Sequence, residues 1–478
     1  MNDIDASLPS TASLCEAVEN LRDRSAAHAL ASACLARVDA TAARFNGFVR
    51  TYPARALGRA AQLDLGAGGG LPRGPLHGIP LAHKDMFFEA GLPSECGSTI
   101  LQGFRPDYTA TVLERLSQAG ALTLGALHMA EFAMSPTGFN AHLGHGRNPW
   151  SSQHISGGSS SGSAAAVAAR LVFGALGSDT GGSVRLPAAA CGVTGLKPTQ
   201  HAISTYGVMP LSASLDCVGF LAQTARDCAR LMSVVAGPDE RDPACLTTRT
   251  RDYEAGLTRP LGPGDVIAVP DFSDDAASQA VLTSELRALV SQAAADLARA
   301  GATLRRVRLP DLSTAGALAS LVLGAEAASV HGAWLASRPH DYGAQVRRRL
   351  ERGLLYPATR YIDALRMRAQ VQTRFLDTCL GDASALLLPV LPCAVPTIEA
   401  TLSGSEAEIE ARFGNLSYWT RGINYLGLPA LALPAGFTEN GLPNGVQLIG
   451  RPFAEATLLR IGHQFQQQTD WHRQRPSV

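Results

Sequence analysis

The chain has 478 residues, 46% of them hydrophobic and 17% charged, and its Lys+Arg and Asp+Glu both total 41. This composition buries a large core easily and excludes a disordered chain, and without a basic stripe it speaks against direct binding of tRNA or DNA. The nine Cys stand singly with no CxxC pair, which suggests neither a thiolate zinc site nor a disulfide framework; reduced thiols in a cytoplasmic protein are the expectation. Asp3 and Asp5 stand where a signal peptide would carry Lys or Arg, so none is expected.

Apolar residues three and four apart over residues 11–45 predict one or two amphipathic helices. Residues 66–74, rich in Gly, read as a surface loop, and 76–82 as a short strand leading into Lys84-Asp85. A helix over 109–119 and a strand over 121–124 follow. Between Gly157 and Pro198 the composition turns to Gly, Ser and Ala, with few bulky charged side chains. There an Ala-rich helix (163–171) leads through a brief strand (173–177) into a second Gly-rich turn. Residues 266–269 predict a strand and 284–300 a helix. The most apolar stretch, 315–337, is interrupted by Glu326 and His331 and reads as a buried helix, not a membrane span. Residues 385–390 and 430–434 read as buried strands. Alternating strands and helices, with neither repeats nor a clear linker, imply a single α/β/α domain over 1–478. Its central sheet would be mixed, twisted and covered by helices.

Two serine-rich turns carry the chemistry: Ser156-Gly157-Gly158-Ser159-Ser160-Ser161-Gly162-Ser163 and Gly177-Ser178-Asp179-Thr180-Gly181-Gly182-Ser183. Glycines before a serine let the backbone turn tightly and free successive N–H groups, as an oxyanion hole requires. Glycine turns with no chemical meaning remain the alternative. Gly158-Ser159-Ser160-Ser161-Gly162 also fits the G-x-S-x-G elbow, which would make Ser160 the nucleophile. An elbow needs an apolar strand before it and a partner His, whereas residues 147–154 form a polar loop. A serine hydroxyl is a poor nucleophile without an adjacent base, and none of the twelve His sits inside either turn. Lys84 can serve if burial lowers its pKa; a surface lysine paired with Asp85 is the alternative. His142-x-x-His145 has ligand-like spacing, but its loop shows no nearby acid or thiol, so no metal site is expected. His83 reads as a packing residue, and Asp179 and Arg185 as braces of the second turn.

The run from Gly157 to Thr199 resembles the amidase signature. The likeness extends to Gly78-Ile79-Pro80-Leu81-Ala82-His83-Lys84-Asp85 upstream. Downstream it takes in Tyr206-Gly207-Val208, Ser214-Leu215-Asp216 and residues 441–450. It covers about 70–240 and 340–465 and leaves about 241–340, the part least tied to this centre, as a variable elaboration. The resemblance implies that Ser183 attacks the carbonyl, that Ser159, with a cis bond to Gly158, bridges it to Lys84, and that Lys84 is the ultimate base. It further implies an oxyanion hole from the N–H groups of Thr180, Gly181, Gly182 and Ser183, and no metal or organic cofactor. Met134 matches a position lining the family's cleft, with Glu131, Phe132 and Phe139 as nearby candidates. Tyr418, Trp419 and Tyr425, before Gly427-Leu428-Pro429, match a second wall; core packing explains each aromatic equally well. Ser161 and His201-Ala202 depart from the family's usual glycine and Gly-Arg.

The expected reaction is amide hydrolysis through an acyl-enzyme. An uncharged aromatic cleft would take neutral, apolar small molecules: amides, carbamates (urethanes) or aryl esters. The rival is the A subunit of a glutamyl-tRNA amidotransferase, whose glutamine recognition places Asp where Ser417 stands here; Arg347, Arg348 and Arg349 could still hold a carboxylate. A non-catalytic scaffold on the same fold is a third reading. The partner called for is a small-molecule substrate, with a homodimer compatible and no membrane.

Overall fold

The computed structural model describes residues 12–21, 25–68, 73–246, 249–272, 276–309 and 312–477. In chain order the strands are β1 (Phe48–Thr51), β2 (Pro80–Lys84), β3 (Leu122–Leu127), β4 (Arg147–Asn148), β5 (Ser151–Ile155), β6 (Gly174–Asp179), β7 (Thr194–Lys197), β8 (Cys217–Ala222), β9 (Val266–Asp271), β10 (Thr303–Arg308), β11 (Ala385–Pro389), β12 (Ala430–Phe437) and β13 (Pro443–Ile449). Strands β4 and β5 pair with each other. The other eleven form one sheet in the order β1-β3-β2-β6-β8-β7-β12-β13-β11-β9-β10. It is mixed: β3, β2 and β6 run parallel, as do β11, β9 and β10, and the remaining pairs are antiparallel. Helices flank this sheet in a single α/β fold.

Every residue of β2, β6, β7, β8, β11 and β13 is buried. Strands covered on both faces read as continuous apolar or small-residue runs, which is why Leu386-Leu387-Leu388 is legible as a strand from the sequence. Edge strand β10 behaves differently. Its residues are exposed or half-buried, and Arg305, Arg306 and Arg308 keep the free edge charged, which discourages pairing with another chain.

The strand expected at 76–82 begins later, at Pro80. Residues 76–79 form a tight turn instead, with His77 N–H donating to the Gly74 carbonyl at 3.1 Å and Ile79 N–H to that of Leu76 at 3.0 Å. Gly78 takes φ +74° there, and a Cβ on it would lie 2.6 Å from that of Ala27. The helices read over 11–45 are Leu14–Leu21 and Ala27–Phe45, and helix Pro53–Gly68 takes in the start of the stretch read as a loop. Residues 11, 22–24 and 69–72 of these readings lie outside the described residues.

Residues 241–340 are built into the same sheet through β9 and β10. Helix Leu312–Ser337 packs against helix Tyr418–Tyr425. By length and composition it is apolar enough to cross a membrane. Its polar interruptions are engaged by the fold: Glu326 accepts from Ser212 Oγ at 2.5 Å, Tyr361 Oη at 2.7 Å and Ser214 Oγ. His331 Nδ1 meets the Tyr342 hydroxyl at 2.9 Å.

Parallel strands β2 and β6 pair through Leu81↔Gly174 and His83↔Leu176. Lys84 and Ser178 therefore leave the sheet at the same end, the carboxyl end, where open α/β sheets form their crevices.

Candidate active site

Strand β2 delivers Lys84 into the interior at zero exposure. Its Nζ meets Ser159 Oγ at 2.6 Å and Ser178 Oγ at 2.8 Å, and Ser178 donates onward to Met86 Sδ at 3.2 Å. Asp85 turns away to pair with Arg50, so the surface Lys84–Asp85 pair does not form. Burial draws the Lys84 ammonium down to about 7, against the opposing pull of Asp216 and Asp179. A neutral amine is thus populated near pH 7, where an ordinary lysine is almost wholly protonated.

The Gly158–Ser159 peptide bond is cis. Ser160 N–H donates to the Ser183 carbonyl at 3.2 Å, which fastens the two serine turns together. Ser159 is fully buried and Ser183 is 8% exposed. Of Lys84, Ser159 and Ser183, only Ser183 lines the cleft.

The second turn is wound around Asp179. Its carboxylate accepts the N–H groups of Gly182 (2.8 Å), Val184 (3.1 Å) and Arg185 (3.3 Å), Asn424 Nδ2 at 2.9 Å, and Nε and Nη2 of Arg185, each at 3.0 Å. Burial alone would raise this carboxyl; the Arg185 guanidinium beside it holds it well below the usual carboxylate range. Gly182 sits at φ +125°, and a Cβ there would come within 2.2 Å of Thr420 Oγ1. Its N–H is committed to Asp179, which corrects the expected donor set of four and leaves the amides of Thr180, Gly181 and Ser183. Thr180 is steadied by donating its hydroxyl to Asp216 Oδ1 at 2.6 Å. Burial holds the Asp216 carboxyl up at about 6, although Thr180 and the Ser212 and Leu211 amides favour its charge.

The elbow serine is spoken for. Ser160 is fully buried, donates to the Ser178 carbonyl at 3.2 Å and accepts the Ser178 N–H at 3.3 Å. Ser161 meets His128 Nδ1 at 2.7 Å. His83 is buried, with Nδ1 3.1 Å from the Lys84 carbonyl. The loop of His142 and His145 does have an acid beside it, contrary to expectation: His142 Nε2 lies 3.0 Å from Glu131 Oε1. His145 stacks near Phe139 at 4.8 Å. No group of three or more His, Cys, Asp or Glu placed to hold a metal occurs among the described residues.

A cavity of about 210 Å³ opens over Ser183 and the Thr180-Gly181 backbone. Met134 lines it, as expected, but the aromatic walls do not. Phe132 packs into a cluster with His331, Trp334 and Tyr342. Phe139 faces His145. Trp419 is fully buried, edge-on to Phe272; Tyr418 is buried against Trp419. Tyr425 is buried with its hydroxyl on the Ala364 carbonyl at 2.5 Å. The walls come instead from Leu323 and Gly324, from Arg349, Arg352 and Tyr356, and from Glu410, Phe413, Ser417 and Arg421. The cleft is charged, which overturns the expectation of an uncharged aromatic one. Ser417 and Arg421 stand four apart, the spacing of one helical face. That spacing was available in the sequence; of the two aromatics between them, both buried, Trp419 lies on the opposite side of the helix. Ser178, Asp216, Thr420 and Asn424 are further residues whose roles emerge only from the packing.

The amidase family profile matches residues 29–459. The A subunit of glutamyl-tRNA(Gln) amidotransferase from Methylococcus capsulatus is 37% identical over 468 residues, covering 94% of this chain and 95% of the relative. One solved chain belongs to work on an unexpected vestigial protein complex that reveals the evolutionary origins of an s-triazine catabolic enzyme. It superposes with a TM-score of 0.87 at 31% identity, covering 95% of this chain and 98% of that one. Native peptide amidase from Stenotrophomonas maltophilia gives a TM-score of 0.81 at 29% identity, covering 96% of each chain. The chain belongs to the amidase family, whose members are amidohydrolases acting on C–N bonds.

Proposed function

We propose that this chain hydrolyses the amide of a small molecule through an acyl-enzyme on Ser183. One observation carries the reading. A buried lysine with no carboxylate in ion-pair distance among the described residues holds a buried serine at 2.6 Å, in a turn fastened to a second serine that opens on a cavity. Neutral Lys84 takes the proton of Ser159 as Ser159 takes that of Ser183, and Ser183 Oγ bonds to the amide carbon. The carbonyl oxygen becomes an oxyanion facing the amides of Thr180, Gly181 and Ser183, donors fixed before the reaction starts. As the C–N bond breaks, Ser159 protonates the departing nitrogen and regains a proton from Lys84. Water then attacks the ester by the same relay, which releases the acid and restores Ser183. Measuring ammonia or amine release from a panel of small amides tests this, with Ser183→Ala as the control. Release undiminished in that variant would overturn the reading.

A second reading, the glutaminase component of a glutamyl-tRNA amidotransferase, is favoured by the similarity to its A subunits. Such a chain would work with other subunits. Co-purification of further subunits, together with glutaminase activity that rises on their addition, would favour it over the first.

A further inference from the structure

The three arginines of the cleft are not equally occupied. Arg352 forms a two-pronged pair with Glu410, at 2.6 and 2.9 Å, which neutralises the one carboxylate among the described lining residues. Arg349 donates to the Met134 carbonyl. Among the described residues Arg421 makes no side-chain hydrogen bond or ion pair, and its Nε is buried without an acceptor. Burial draws both the Arg349 and Arg421 guanidiniums below their ordinary values; at Arg349 the nearby Glu410 opposes this, while Arg352 and Arg421 add to it. Arg349 and Arg421 therefore face the cavity largely desolvated and with no carboxylate of their own among the described residues, a costly arrangement unless an anion joins them.

Arg421 is placed rather than incidental. Thr420 Oγ1, the neighbouring side chain, donates to the Gly181 carbonyl at 2.7 Å, and Asn424 Nδ2 to the Asp179 carbonyl at 2.8 Å. Both pin helix Tyr418–Tyr425 to the Ser183 turn. Arg421 is the one residue of that helix that is not buried. A Cβ on Gly181 would lie 3.5 Å from that of Arg421, and one on Gly316 would come within 3.1 Å of Arg421 Nε. Gly316 thus leaves the space the guanidinium occupies.

We propose that Arg421 anchors a carboxylate of the substrate, so that the preferred substrate is a short monoamide of a dicarboxylic acid without an α-ammonium group. The proposal rests on the cleft being the amide-hydrolysing site, and it adds which amide is taken. A guanidinium binds a carboxylate in a planar, two-pronged fashion. An amino acid such as glutamine would bring an ammonium as well, and Glu410, the one acidic side chain among the described lining residues, is already paired with Arg352.

The test has a binding arm and a turnover arm. In the binding arm, glutaramate and succinamate are titrated into Ser183→Ala and into Ser183→Ala combined with Arg421→Met, with thermal melts checking that each variant folds. At least a tenfold loss of affinity on removing Arg421 is expected. Equal affinity, or no binding to either protein, overturns the proposal. In the turnover arm, kcat/KM is measured for glutaramate, butyramide and L-glutamine. Glutaramate should exceed each of the others by about a hundredfold, since a site built for a polar group rejects the analogue lacking it. The glutaramate-to-butyramide ratio should collapse in Arg421→Met, chiefly through KM, and recover in part in Arg421→Lys. A ratio unchanged by Arg421→Met overturns the anchor alone. Arg421-dependent binding without hydrolysis of any amide overturns the amidase reading and leaves the anchor standing.

Discussion

Asp179 and Arg185 form a fully buried ion pair at 3.0 Å, with zero side-chain exposure on both partners, directly behind the Ser183 turn. Replacing Asp179 with Ala leaves the Arg185 guanidinium in the interior facing only neutral acceptors: Gln447 Oε1 at 2.9 Å, the Thr420 carbonyl at 3.0 Å and Asn424 Oδ1 at 2.6 Å. Breaking such a pair costs about 3–5 kcal/mol. At roughly 2.1 cal/mol/K per residue, a chain of 478 residues unfolds with an entropy of about 1 kcal/mol/K, so Tm should fall by only about 3–5 °C. Turnover should suffer far more. The Gly182, Val184 and Arg185 amides lose their common acceptor, and the turn that aims Thr180 and Gly181 loosens; losing one oxyanion donor alone costs about 100–1000-fold. The assay is a double-mutant cycle of Asp179→Leu and Arg185→Met, read by melting and by kcat. The double variant should be markedly more stable than the sum of the singles predicts, because it leaves no orphaned charge. Strictly additive losses, or Asp179→Ala within 1 °C and a few-fold of wild type, would refute the reasoning.

Activity should rise with pH through about 7, where buried Lys84 loses its proton, since the neutral amine is the base. A pH profile of kcat/KM flat from 5 to 9 would count against Lys84. The same shift has a stability consequence. The folded chain holds this proton more weakly than the unfolded one, so the group's destabilising effect is full below about 7 and fades as pH approaches 10.5. Lys84→Met should flatten that rise in melts taken across the window. His128 Nε2 lies 2.8 Å from the Gly144 carbonyl, which only accepts, so Nε2 carries the hydrogen and Nδ1 accepts from Ser161. Ser161→Ala strands that buried nitrogen and should destabilise by about 1–3 kcal/mol in urea titrations. His201 sits at φ +61°, a conformation costing an L residue about 1–2 kcal/mol, and glycine gives back about 0.5–1 kcal/mol in entropy. His201→Gly should therefore be neutral or stabilising by up to about 1 kcal/mol, and a clear loss would show that the imidazole contributes a contact.

The segments that meet at the candidate site were legible because each is local. Lys84 and the two serine turns are contiguous segments, and Lys84 lies at the end of a short apolar strand that makes its burial foreseeable. The α/β fold was legible for the same reason, in runs such as 385–390. Short strands lacking such runs were missed: β7, Thr-Gly-Leu-Lys, carries only one large apolar residue, and half of β10 is arginine. The cleft was misread because its walls are assembled from distant stretches, the helix Leu312–Ser337 and residues 349–356 and 410–421. Trp419 and Tyr425 are conspicuous in the sequence, yet large aromatics lower the free energy most when buried. Arg421, the one residue of their helix that is not buried, and Ser417 at its start are left to meet the cavity. The commitment of the Gly182 amide to Asp179 depends on how the turn curls back, which no spacing of residue types reveals.

The account stands or falls on which serine carries the acyl group. The direct measurement is peptide mapping by mass spectrometry after the folded chain reacts with a serine-directed fluorophosphonate. The account predicts one adduct, on the peptide holding Ser183, absent in Ser183→Ala and strongly slowed in Lys84→Ala. An adduct on Ser160, or one that persists in Ser183→Ala, would contradict it.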